Sequence, residues 1–339
     1  LRVPTDTLER RIERLLIRLP NWLGDTLMAR PLLHAARARW PEAEIRAVGP
    51  EAPLPLLAAD LPGVRFEAWP AAGGARGALT RSLRAWHADA ALVLPPSFSS
   101  AWFAWGSGAN RRIGFAGEAR GVLLTDAIPR PIRGDCHVSE EYLSLGARLG
   151  LEAVEVPSLV PTTASRTEAA RLRREAGSSD GPYAVLGPGA AFGPAKRWPL
   201  ERFAEVGERL RARGLGLVIA GAGVDSAECS GLRARLASPV ADLAGRTDLV
   251  TLAALCAGAS VVVCNDSGLA HLAAASGAPT VAVFGSTSSA WSAPRGARVR
   301  VVQRPPVCSP CFRRTCAIGY RCLVAVDAGR VVRACAEVA

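Results

Sequence analysis

The sequence predicts an α/β protein of two consecutive Rossmann-like domains with a cleft between them. Three observations carry that expectation. Short apolar runs of strand length alternate with segments of helical periodicity, the pattern of βαβ units on a parallel sheet. The alternation stops at a Pro- and Thr-rich stretch, LEAVEVPSLVPTTAS (151–165), and then restarts, which puts the domains at 1–160 and 161–339. A chain of 339 residues also has the interior for about two hydrophobic cores.

In the first half, LLIRLP (15–20) reads as a buried strand and NWLG as a tight loop behind it. Asp25 to Arg39 has helical periodicity and ends before Pro41. EIRAVGP and DAALVLPP (89–96) are further strands. In the second half RTEAARLRREAG is a helix, YAVLGPG a strand entering a Gly-rich loop, LERFAEVGERLRARG a helix and LGLVIAGAG a strand. ASVVVCNDSG is a strand ending in polar residues, HLAAASG a helix and PTVAVFGS another strand. Ligands of such sheets bind beyond the carboxyl ends of the strands, where the polar and Gly-rich loops fall.

Composition narrows the class. Hydrophobic residues at 49% with 21% charged fit a globular chain rather than a disordered one. No run approaches the roughly 18–20 uncharged apolar residues of a membrane span. The N-terminal LRVPTDTLERRIERLL has acidic residues and no signal-peptide core, so a cytoplasmic protein is expected.

Net charge is +11, from 41 Lys+Arg against 30 Asp+Glu. Residues 1–150 hold 19 cations and 15 anions, 151–290 hold 13 of each, and 291–339 hold 9 against 2. A basic tail from Arg295 to Arg333 suggests an anionic partner. Neither a helix-turn-helix nor an RNP-like pattern is present, so nucleic acid is not expected. A phosphorylated partner and a merely solvated Arg-rich surface both stay open.

Three loops carry candidate chemistry. GPGAAFGPAKRWP (187–199) follows a strand, and Gly187, Gly189 and Gly193 let backbone amides approach a ligand. Lys196 is the one lysine beside 40 arginines, and a compact ammonium reaches a phosphate oxygen where a planar guanidinium does not fit. The loop is not a Walker A motif, because Ala195 and Arg197 flank the lysine, and no G-x-G-x-x-G follows a strand. Its plain alternative is a turn with a surface lysine. NDSGLAH (265–271) joins a strand to a helix. There Asp266 and Ser267 suit an N-cap, Ser267 and Gly268 offer N–H groups to a pyrophosphate, and His271 lies one turn on. PNWLGD (20–25) puts Asp25 where a helix begins, either as its cap or as a carboxylate kept ionised by the helix and ready to act as general base.

Cys308, Cys311, Cys316 and Cys322 form C-x2-C-x4-C-x5-C. Thiols of a cytoplasmic chain stay reduced, so a disulfide framework is not expected. Four thiolates at short spacing can hold a structural zinc, though this is not a standard knuckle, and the working expectation is no metal. Cys136, Cys229, Cys256, Cys264 and Cys335 read as buried or incidental.

Taken together, PNWLGDTLMARPLL, VLPPSFSSAWFAWGSGANRRIGFAGEARGVLLTD, GPGAAFGPAKRWP, AGAGVD and CNDSGLAHLAAASGAPTVAVFGSTS resemble the ADP-heptose:lipopolysaccharide heptosyltransferases, glycosyltransferase family 9, most of all its heptosyltransferase II branch. The segments run in order from residue 20 to about 288 and cover both halves. The resemblance implies a GT-B fold and an inverting, metal-independent transfer from ADP-heptose, with no cofactor, to the inner core of lipopolysaccharide. It makes Asp25 the general base. It puts Gly189 and Lys196 on the donor diphosphate, Asp225 on the ribose and Thr247 near the adenine. Asp266, Ser267, Gly268 and His271 then line the diphosphate and sugar. Asn21, Trp22, Arg111, Arg112 and Arg120 are the implied contacts to a phosphorylated lipid A–Kdo–heptose acceptor. The enzyme would touch the inner membrane peripherally, through its basic tail. One departure stands out: the family loop commonly reads GAEFGPAKRWP, and Ala191 replaces the acidic residue. Alternatives are a nucleotide-sugar epimerase of the same architecture, a family 9 transferase with another sugar donor, and a non-enzymatic nucleotide-sugar-binding scaffold in which Asp25 only caps a helix.

Overall fold

The computed structural model describes residues 12–117, 119–237 and 239–339. The segment up to residue 11, most of the stretch that argued against a signal peptide, lies outside them. The chain divides into two units between Pro157 and Ser158. That division falls in residues 151–162, which have no regular secondary structure.

The first unit holds six parallel strands: β1 (Arg14–Arg18), β2 (Glu44–Gly49), β3 (Val64–Ala68), β4 (Ala90–Val93), β5 (Arg111–Phe115) and β6 (Asp126–Ile128). Their order is β3-β2-β1-β4-β5-β6. Ile17 of β1 lies opposite Ala47 on one side and Leu92 on the other. Both faces of these central strands are buried, so they read as near-continuous apolar runs. The second unit repeats the plan with β7 (Tyr183–Gly187), β8 (Gly216–Ile219), β9 (Ala241–Asp242), β10 (Val261–Asn265), β11 (Thr280–Phe284) and β12 (Val299–Gln303). Its order, β12-β11-β10-β7-β8-β9, is the same winding read from the other edge. Each sheet is therefore doubly wound, and its order reverses once, between β1 and β4 or between β7 and β10. Such a switch point leaves a crevice at the carboxyl ends of the strands.

The helix expected from Asp25 to Arg39 is two helices, Leu23–Met28 and Arg30–Arg39. Pro31 is the reason. It lacks an N–H and its ring would strike the carbonyl four residues back, so the chain turns at Ala29 and restarts with Pro31 in the new first turn. Trp198 sits in the second unit's core with Phe203, Leu232, Val283 and Leu323, and Val331, Cys335 and Val338 of the C-terminal helix Ala328–Val338 close the same cluster. Trp198 is 1% exposed, and its indole N–H donates to the Val326 carbonyl at 3.0 Å. Removing a side chain so placed costs about 3–5 kcal/mol. No helix of the described residues is long and apolar enough to cross a membrane.

Candidate functional site

The second unit's switch point brings together the loops after β7 and β10. Asn265, the last residue of β10, is fully buried and stitches them. Its side-chain oxygen accepts the Trp198 backbone N–H at 3.0 Å and its amide donates to the Pro188 carbonyl at 2.7 Å. Held this way, the Gly-rich loop places the Lys196 ammonium 2.7 Å from Asp266 Oδ2 and 5.1 Å from the Phe192 ring centroid. Asp266 also accepts a hydrogen bond from the Thr287 hydroxyl. An ammonium has three N–H donors, and the Asp266 contact uses one of them. The neighbouring Arg197 pairs with Glu228. It is the lysine that sits at the switch point.

Ser267 is the N-cap of the helix Gly268–Ala275, but its side chain makes no capping hydrogen bond. The cap expected from Asp266 is likewise absent, because that carboxylate serves Lys196 and Thr287. The Ala270 N–H turns back to the Ser267 carbonyl at 3.1 Å, and no side chain caps the rest of the first turn, an arrangement that favours an anion beside Lys196. His271 is buried one turn on.

Gly189 and Asp225 are packed against each other. A Cβ at position 189 would fall 2.2 Å from the Asp225 carboxyl carbon, so only glycine lets the loop cross there. Asp225 Oδ2 accepts the Ala222 N–H at 3.0 Å, while Oδ1 is buried with no hydrogen-bond partner among the described residues. Burial raises the carboxyl above its ordinary value, against the pull of the Ala222 N–H. The loop after β9 lies alongside, with the Gly245 N–H donating to the Gly221 carbonyl at 2.9 Å, and Thr247 follows in it, half-buried. Four adjacent strands, in the order β10-β7-β8-β9, therefore carry Asp266, Lys196, Asp225 and Thr247 at their carboxyl ends.

In the first unit, the loop after β1 holds Asn21 and Trp22 and leads into the helix that carries Asp25. Trp22, not Asp25, is the N-cap of the helix Leu23–Met28, and Asp25 is in its first turn, half-buried. The carboxylate is close enough to Tyr142 to add to the burial that pushes that phenol well above its usual value. Thr26 donates to the Pro20 carbonyl at 3.1 Å and fixes the turn.

Arg18, which the sequence did not single out, donates to Asn21 Oδ1 at 2.8 Å and lies 4.7 Å from the Trp69 ring centroid. Burial, aided by Arg76, lowers its guanidinium to about 10. An apolar run with one arginine gives no sign that the arginine turns inward; Tyr142 and Thr287 were equally unmarked.

The three arginines expected at the acceptor are not brought together. Arg111 and Arg112 open β5, so they lie at the amino ends of the strands, opposite the switch-point loops. They hold Asp126 at 2.9 Å and the Leu123 and Ala109 carbonyls at 2.8 and 2.7 Å. Arg120 is on the carboxyl side, fully buried, and donates to the Pro95 carbonyl at 2.6 Å beneath the loop after β4.

Of the four tail cysteines, Cys311 and Cys316 lie close enough to Cys322 to add to the burial that raises its thiol. Cys308 and Cys311 are exposed, Cys316 is half-buried and Cys322 is in the core. Among the described residues no group of three or more His, Cys, Asp or Glu is placed to hold a metal ion. The segment also braces the Gly-rich loop: the Arg314 carbonyl accepts the Ala195 N–H at 3.0 Å and its Nε donates to the Phe192 carbonyl at 2.8 Å.

A family model, glycosyltransferase family 9 (heptosyltransferase), matches residues 76–320. Lipopolysaccharide heptosyltransferase 2 of Salmonella typhimurium is 34% identical over 309 residues, covering 86% of this chain and 88% of that one. Lipooligosaccharide heptosyltransferase 2 of Haemophilus influenzae is 31% identical over 303 residues, covering 84% and 86%. The solved structure of E. coli ADP-heptose lps heptosyltransferase II matches with a TM-score of 0.80 at 30% identity, over 96% of this chain and 98% of that one. E. coli heptosyltransferase WaaC with ADP shares the fold, with a TM-score of 0.73 at 21% identity over 96% and 100%. Doubly wound twin sheets with these likenesses define the class, a glycosyltransferase of the GT-B fold. Within that class, the chain belongs to glycosyltransferase family 9, the heptosyltransferases.

Proposed function

We propose that the chain transfers heptose from ADP-heptose to the inner core of lipopolysaccharide, adding the second heptose. The observation that carries the donor half is the order of side chains along the second sheet. Lys196 and the open helix start at β7 and β10 suit a diphosphate, the orphaned Asp225 Oδ1 at β8 suits a ribose hydroxyl, and Thr247 at β9 suits the base. Three strand spacings amount to about 14 Å, a length that an extended nucleoside diphosphate spans. The names of the relatives support the sugar and the acceptor.

Asp25 takes the proton from the acceptor hydroxyl, and the oxygen attacks the anomeric carbon as the bond to the diphosphate breaks, inverting that centre. Departing ADP gains negative charge. Lys196 and the N–H groups after Ser267 neutralise it, so the step is proposed to run without a divalent ion. The first unit would bind the phosphorylated lipid A–Kdo–heptose acceptor through Asn21 and Trp22, with Arg120 supporting the adjoining loop. The enzyme would work at the cytoplasmic side of the inner membrane, peripherally attached.

A panel of nucleotide sugars, offered with a defined core acceptor and read by mass, tests this. One added heptose from ADP-heptose, undiminished by EDTA, is the expected result. Transfer of another sugar only, or conversion of the nucleotide sugar without acceptor, overturns the assignment, and loss of transfer in EDTA overturns its metal-free step.

A further inference from the structure

The helix Phe98–Gly106, reading FSSAWFAWG, is apolar on both sides. Its inner side, with Ala101, Phe103 and Ala104, belongs to the first unit's core. Its outer side carries Phe98, Trp102 and Trp105 at 43%, 54% and 47% exposure. The spacing of four and three residues aligns these rings in one stripe. Phe98 stacks on Trp102 with centroids 6.3 Å apart, and Trp105 meets Trp102 tilted at 41° with centroids 5.0 Å apart. The turn Arg120–Leu123 packs against this helix and adds Val122, 87% exposed. A surface helix of a globular protein is ordinarily polar on its outer side, and an exposed apolar stripe of this kind marks an interaction surface.

The charges beside the stripe indicate what covers it. The helix Gly73–Trp86 packs alongside with no Asp or Glu and carries exposed Arg81 and Arg84, together with Arg76, whose Nε holds the Pro70 carbonyl at 2.7 Å while its side chain stays exposed. Asp89 is the one acid between residues 70 and 117, and it is engaged by the backbone N–H groups of Glu13 and Arg14 at the amino end of the sheet. Interfacial tryptophans beside unopposed arginines are the composition that anionic phospholipid surfaces attract. The basic tail lacks this combination, since its Phe312 packs edge-on against Trp291 and its Arg314 holds the Phe192 carbonyl.

We infer that the Phe98–Trp102–Trp105 stripe, flanked by Arg76, Arg81 and Arg84, docks the enzyme on an anionic bilayer surface. The helix directly follows the loop after β4, on the same carboxyl side as Asn21 and Trp22. Docking there would present a membrane-borne acceptor to that loop; this use rests on the proposed function, whereas the docking does not.

The test uses the full chain and vesicles of phosphatidylethanolamine with phosphatidylglycerol, against vesicles of phosphatidylcholine alone, read by co-sedimentation. The wild type is expected to bind the anionic vesicles in a salt-sensitive way. Trp102→Ser with Trp105→Ser should weaken binding by about tenfold or more, and Arg81→Gln with Arg84→Gln should weaken it and flatten the salt dependence. Both variants should keep wild-type melting temperatures and wild-type transfer to a water-soluble, deacylated core acceptor. Vesicle binding that is absent in the wild type, or unchanged in the tryptophan variant, overturns the inference. So does a wild-type oligomer, seen by light scattering, that the tryptophan variant breaks, because the stripe then belongs to a second copy. If vesicle binding follows this pattern while the soluble acceptor is never modified, the proposed function fails and the docking stands.

Discussion

Asp25 illustrates how one residue divides two readings. As a cap it would be replaceable by Asn at little cost, but the structure gives the cap position to Trp22 and leaves Asp25 in the first turn beside Tyr142. The expected outcome for Asp25→Asn is therefore an unchanged melting temperature and unchanged ADP affinity, with transfer reduced by about 10²–10⁴-fold. Retained turnover with lost stability would return Asp25 to a structural role. Lys196 was legible from composition, because a lone lysine among arginines asks for a compact cation. Its partners Asp266 and Thr287 were legible only in part, since the helix-start pattern announces a cap and not an ion pair.

At the scale of elements, the strands that flank the switch points were legible because parallel strands buried on both faces are unbroken apolar runs. The strands β3 and β12 are half-exposed edges, β5 begins with two arginines, and β6 and β9 are only three and two residues long, so none of them stands out as such a run. The same limit applies to Arg111 and Arg112: without β5, nothing tells which end of a sheet they occupy. The close crossing at Gly189 gives a test of the β7 and β8 loops as one unit. Gly189→Ala drives a methyl into the Asp225 carboxyl, and ADP affinity measured by calorimetry should fall by about tenfold or more, as for other misplaced binding groups. Unchanged affinity would remove Asp225 from the nucleotide site.

Helix Arg30–Arg39 makes a second testable element. Arg30 forks onto Asp60 with both contacts at 2.8 Å, and His34 Nε2 lies 3.0 Å from the same carboxylate. Burial pushes that carboxyl up, but the His34 and Arg30 hydrogen bonds outweigh it, and the net direction is down. A carboxyl lowered on folding stabilises above its unfolded value of about 3.9 and loses that contribution as pH falls through the folded value. Melting temperature should accordingly drop more steeply below about pH 4 in the wild type than in Asp60→Asn, which should already be destabilised at neutral pH. Parallel curves would contradict the depressed carboxyl.

For the molecule as a whole, the net charge of +11 is distributed by use. Arginines at 30, 111, 112 and 120 are structural, holding carboxylates and carbonyls. Those at 76, 81 and 84 remain exposed on one helix. The single lysine sits at the second sheet's switch point, paired with Asp266, where the proposed function puts the diphosphate. Calorimetric titration of ADP into the wild type and into Lys196→Ala tests that central claim most directly. Binding weaker by about tenfold or more in the variant, with the melting temperature of the free protein retained, is the result the account predicts. Equal ADP affinity in the two proteins would contradict it.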